Sequence, residues 1–156
     1  MASQKIIRKI ISSSLGPKPI GPYNQAVLVD HTLYLSGSLG VDVKTGKLVA
    51  GGAAVEARQA LINMGHILKE AGSNYDKVVK TTIFLQDINE FSDVNEVYKE
   101  FFKENYPARS TFQVGKLPMQ LYIPRFHNRF HSFRTRFTTC WCRSYFFYSI
   151  VSHFAY

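Results

Sequence analysis

The sequence predicts a single domain of mixed helix and strand, a β-sheet covered on one face by two helices. Three observations predict it. Two β-rich runs flank a tight break at Asp30-His31. Apolar residues then recur at spacings of three and four through residues 53–71 and again through 91–101, each time ahead of a strand-like run. Finally, 156 residues at 46% hydrophobic content suffice for one core and argue against disorder.

The elements follow in order. Residues 1–15 carry Lys5, Arg8 and Lys9, no acid and a serine run. They fit a basic arm or first strand and, as a second reading, a mitochondrial presequence. Gly16 to Pro22 is turn chemistry. Gln25–Val29 and Thr32–Gly37 then form a hairpin around Asp30-His31, with His31 solvated in the turn. Residues 43–49 make a surface loop. Ala54, Ala57, Leu61, Met64, Leu68 and Ala71 stripe a helix, with Glu56 in its first turn, Lys69 in its last and Gly72 as the C′ residue. His66 falls on its polar side. Val78–Gln86 is the strongest strand signal. A second helix, capped by Asp87 or Asn89, presents Phe91, Val94, Tyr98 and Phe101 on one face; Pro107 is expected to end it, and Ser110–Val114 to be a strand. A helix between successive strands favours right-handed crossovers, so both helices share a face. The other face then needs cover, which predicts an oligomer.

The net charge of +8 divides unevenly. Residues 1–119 hold 14 Lys and Arg against 11 acids, whereas residues 120–156 hold five Arg and no acid. Lysine is absent from that tail and 12 of its 37 residues are aromatic. It could be a platform for single-stranded nucleic acid or a membrane-surface helix. The preferred reading is a frame-shifted or alternatively spliced end, because the bias switches at one point. Cys140 and Cys142 are too few for a disulfide framework or a zinc site. No apolar run reaches the roughly 20 residues that span a bilayer. The expected location is cytoplasmic, with a mitochondrial one second.

Arg109 is the only arginine between Arg58 and Arg125, just past Pro107 at a strand start. Its guanidinium is a fixed fork that can hold a carboxylate through two parallel hydrogen bonds, or simply a surface cation in a solvated pair. On residues alone, Tyr23 reads first as a packing aromatic, and Ser36, Gly37 and Asn89 first as turn or cap residues.

Five motifs in order decide between these readings: Gly21-Pro22-Tyr23-Asn24-Gln25-Ala26, Ser36-Gly37, Val79-Lys80-Thr81-Thr82, Asp87-Ile88-Asn89-Glu90-Phe91 and Tyr106-Pro107-Ala108-Arg109-Ser110. Through them residues 5–119 resemble the Rid/YjgF family, specifically its RidA-type deaminases of 2-iminobutanoate and 2-iminopropanoate, a family also labelled a translation-inhibiting endoribonuclease. The resemblance implies a chorismate-mutase-like α+β fold, a homotrimer with sites between subunits, and hydrolysis of reactive imines and enamines to 2-oxo acids and ammonia without metal or cofactor. It implies that Arg109 and Tyr23 are catalytic and that Ser36, Gly37, Asn89 and Arg109 bind substrate. Thr111 stands where some relatives carry cysteine. A departure follows Leu117-Pro118-Met119: relatives continue into a last strand whose second glutamate positions the attacking water, but no Asp or Glu occurs after Glu104. Impaired turnover and a partner strand with unpaired backbone groups are expected. The alternatives are an RNA-binding or RNA-cleaving protein and a non-catalytic ligand-binding trimer.

Overall fold

A computed structural model describes residues 6–115 and the backbone of residues 144–145 and 152–153. Its strands form two ladders. The first is antiparallel, in the order β1 (Arg8–Ile11), β2 (Ala26–Val29), β3 (Thr32–Leu35) and β7 (Ser152–His153). The second is mixed. It centres on β4 (Lys80–Leu85), with β5 (Ala108–Gln113) parallel on one side and β6 (Ser144–Tyr145) antiparallel on the other. Helices α1 (Ala53–Glu70) and α2 (Phe91–Phe101) cover one face. This is the α+β arrangement expected, with a helix bridging β3 to β4 and another bridging β4 to β5.

Period two decides the faces of the strands. Leu33 and Leu35 of β3 and Thr81, Ile83 and Leu85 of β4 point into the core against Ala57, Leu61, Met64 and Leu68 of α1 and Val94, Val97 and Tyr98 of α2. The opposite side of the ladders leaves Ile10, Tyr34 and Phe112 exposed, and Phe84 stacks on Phe112 at 6.1 Å between ring centroids. Arg58 of α1 and Glu100 of α2 pair across the helix surface.

Local chemistry sets the boundaries. Asp30 turns the β2–β3 hairpin at φ 50°, and His31 beside it is exposed. Helix α1 ends in a Schellman motif. Gly72, at φ 75°, donates to Lys69 O at 3.0 Å, and Ser73 donates to Leu68 O at 2.8 Å. The basic segment at Arg8–Ile11 is a sheet strand, in line with the first-strand reading. Among the described residues no helix is long and apolar enough to cross a membrane.

Three expectations need correction. Pro107 does not end α2: the helix stops at Phe101, because Phe102 turns extended to bury its ring 4.4 Å from that of Tyr98. Pro107 instead starts the chain into β5. His66 is half-buried rather than exposed. The edge expected to lie open is occupied over two residues, where Phe84 pairs with Tyr145 and Leu85 with Ser144, while Thr32 and Leu33 pair with His153 and Ser152. Ladder hydrogen bonds are made by backbone, so a chain of foreign composition can supply them. The other readings of residues 1–5 and of the tail lie outside the described residues.

Candidate active site

Arg109 is the second residue of β5 and faces Thr81 across the parallel ladder. That register turns it toward α2, where its guanidinium carbon lies 4.8 Å from the centre of the Tyr98 ring and 5.4 Å from that of Phe91. Among the described residues no carboxylate pairs with it. The side chain is half-buried at a hollow of about 420 Å³ lined also by Asn95, Lys99, Tyr106 and Pro107. Tyr98 is almost fully buried, and its hydroxyl meets Thr81 Oγ1 at 2.9 Å. Burial pushes the Tyr98 phenol up; the Thr81 hydrogen bond and the Arg109 charge pull against that shift.

Tyr23, Ser36 and Gly37 line a second hollow of about 600 Å³ between the 12–25 segment and the loop after β3. The two hollows share no lining residue. Tyr23 is 46% exposed, and its hydroxyl accepts from the Ile20 N–H at 3.2 Å, which leaves its own proton for a ligand. The Ser36 hydroxyl donates to Asn24 O at 2.6 Å and so retains only acceptor capacity. Ser38 Oγ, at the same wall, is buried with no hydrogen-bond partner among the described residues.

Asn89 stands apart from both hollows. Its backbone and side-chain nitrogens both donate to Asp87 Oδ1 at 2.9 Å. The bend they make directly precedes α2, which carries Phe91 and Tyr98 to Arg109. Among the described residues no group of three or more His, Cys, Asp or Glu could hold a metal.

Two supporting residues escaped the sequence reading. Gln25 is buried, accepts from Ser13 N at 2.6 Å, and donates to Ser13 O at 3.1 Å and Pro17 O at 2.8 Å. Asn63, 1% exposed, donates to Leu39 O and Val41 O, both at 2.9 Å. Gln25 ties down one wall of the second hollow and Asn63 the other. An amide one turn beyond Ala60 on the apolar stripe was the available signal for Asn63. Gly40, between the two carbonyls that Asn63 holds, passes so close to α1 that a Cβ would lie 2.6 Å from Glu56 O.

A family profile described as Endoribonuclease L-PSP matches residues 14–123. The chain is 58% identical over 113 residues to a human 2-iminobutanoate/2-iminopropanoate deaminase, covering 72% of this chain and 82% of that protein. It is 53% identical to the RutC family protein UK114 of Drosophila melanogaster over 118 residues, 76% of this chain and 86% of that one. Among solved structures, Escherichia coli TdcF with bound serine superposes with a TM-score of 0.73 at 30% identity, covering 94% of this chain and 99% of the other. The Escherichia coli YjgF gene product gives 0.67 at 41% identity, covering 70% and 88%. The chain belongs to the Endoribonuclease L-PSP family, the Rid/YjgF family that its motifs indicated.

Proposed function

We propose that this chain hydrolyses reactive 2-imino and enamino acids, 2-iminobutanoate and 2-iminopropanoate foremost, to 2-oxo acids and ammonia. The observation that carries the proposal is the 58% identity to the human deaminase over 113 residues. The chemistry of the residues agrees. A small imino acid offers a carboxylate, and Arg109 offers a half-buried fork with no carboxylate partner among the described residues. The serine bound to TdcF is likewise a small amino acid with one carboxylate.

In this reading Arg109 holds the carboxylate through two charge-assisted hydrogen bonds. Ser36 Oγ accepts from the imine nitrogen once that is protonated, and the Tyr23 hydroxyl donates to substrate or water. Water adds to C2, a proton passes to nitrogen, the C–N bond breaks, and the carbonyl forms as ammonia leaves. Asn89 supports the site from the loop before α2. With no acid after Glu104, water is oriented without a strong base, so turnover is slower than in a relative that has one.

The two hollows complement each other best across a contact between copies, since Arg109 opens on one and Tyr23 on the other. A homotrimer with sites between subunits fits this, and the apolar outer face with Ile10, Tyr34 and Phe112 supports it. In this reading the family domain spans residues 1–119, and residues 120–156 are a basic aromatic end of frame-shifted or alternatively spliced origin that still lends short strands to both ladders. The cytoplasm is the favoured location, with a mitochondrial one second.

Ammonia release from freshly generated 2-iminobutanoate tests the proposal. Arg109→Ala should lower kcat/KM by about a hundredfold, as loss of one partner of a desolvated charge pair does. Unchanged hydrolysis would sink the carboxylate clamp. The family profile's name favours an endoribonuclease as second reading, but His31 and His66 line neither hollow. RNA cleavage would survive Arg109→Ala. Binding of 2-oxobutanoate without ammonia release would mark a non-catalytic trimer.

A further inference from the structure

We infer that Thr81 and Tyr98 are positioning residues for Arg109: their hydrogen bond fixes the aromatic plane on which the guanidinium rests, and that plane aims the fork. The inference rests on the hydrolase reading only for its kinetic consequence.

An arginine at a binding site is commonly oriented by a carboxylate, but a resident carboxylate would occupy the N–H donors that the substrate needs. Among the described residues no carboxylate pairs with Arg109: Glu96, at the same hollow, is taken by Lys99, and the rings of Phe91 and Tyr98 carry the guanidinium instead. A ring face attracts the cation through its quadrupole and leaves the donor edge of the fork available. The two rings are unequal. Phe91 is 37% exposed at the start of α2, whereas Tyr98 is 3% exposed and packed against Phe102. Tyr98 is also the nearer.

What holds Tyr98 is the next link. Its hydroxyl is bonded to Thr81 Oγ1 at 2.9 Å, and Thr81 is fully buried. Thr81 is also the ladder partner of Arg109. The three residues therefore close a circuit: backbone pairing sets Arg109 beside Thr81, Thr81 pins the Tyr98 hydroxyl, and the Tyr98 ring carries the Arg109 guanidinium. Phenylalanine at 98 would keep the ring and lose the pin. The geometry thus gives the hydroxyl a purpose beyond core packing, since a core alone is served as well by an apolar ring.

The test uses the full-length protein with Thr81→Val, Tyr98→Phe, the double variant and Arg109→Lys. Readouts are KM and kcat for 2-iminobutanoate, thermal midpoint, and the Arg109 Nε–H nuclear magnetic resonance, assigned by its loss in Arg109→Lys. Each single variant strands one buried hydroxyl, so both lose stability; the double variant strands none and should melt near the wild type. If the hydroxyl pair were structural only, KM would recover along with the melting point. The expected result is that it does not: KM stays raised about fivefold with kcat within about twofold, and the Arg109 Nε–H resonance shifts or broadens. A double variant with wild-type KM and an unmoved resonance overturns the inference. Should Arg109→Lys leave KM unchanged, the carboxylate-clamp reading fails instead. The resonance then decides alone: movement in the double variant supports the inference, and a fixed line overturns it.

Discussion

The two hollows are built on opposite plans. Around Arg109, one strand and one helix hold a single charged group by its flat face and leave its donors open. Around Tyr23, two irregular segments are tied down by the amides of Gln25 and Asn63, and the hydroxyls of Tyr23 and Ser36 are already half engaged by backbone. The first hollow supplies charge from regular structure. The second supplies directed polarity from loops that must be fastened before they can be selective. The difference teaches that loop-built polarity depends on distant packing, whereas the charged half depends on its immediate neighbours.

Gly40→Ala gives the largest expected break in this comparison. The new Cβ would meet the Glu56 backbone, so the loop must move or α1 must yield, at a cost of about 3 kcal/mol. Chemical denaturation should register that loss, and 2-oxobutanoate binding should weaken through the Tyr23 side. Full stability in Gly40→Ala would show that the loop is not clamped to α1.

Alkaline pH offers a smaller perturbation, through the packing that joins Tyr75 to α1 and to Phe101 and Phe102. Burial raises the Tyr75 phenol from 10.0 to about 12, and its hydroxyl donates to Leu61 O of α1 at 2.7 Å. The unfolded chain loses this proton first, so between these two values it binds fewer protons than the folded one and stability falls as pH rises. After allowance for partial exposure the loss should be about 2 kcal/mol, and Tyr75→Phe should remove that slope in denaturation measured at stepped pH.

Tyr23→Phe is the finest probe. It keeps the ring and removes one donor, so kcat/KM should fall about tenfold at most, well short of the Arg109→Ala effect. A fall as large as that of Arg109→Ala would mean that Tyr23 carries the chemistry rather than orientation.

Much of the fold was legible because its signals are local. The hairpin at Asp30-His31, the stripe of α1, Gly72 as its C′ residue and the β-branched run of β4 each depend on neighbours within a few positions. The end of α2 was misread because Pro107 is a strong local breaker, while the actual stop came from burying Phe102 against Tyr98. At the site, Arg109, Tyr23, Ser36 and Gly37 were chosen by motif, and each lines one of the hollows. Asn63 was missed because its partners, Leu39 and Val41, are more than 20 residues away.

By itself the sequence determined which segments are helix or strand, which face of each is apolar, and that one arginine follows a proline into a strand. Periodicity and turn chemistry carry that information along the chain. Only the tertiary structure decided that this arginine rests on Tyr98 and Phe91, that Tyr98 is pinned to Thr81, 17 residues earlier, and that Tyr23 belongs to a different hollow. Those relations are distances through space, set by strand register and helix packing rather than by proximity along the chain.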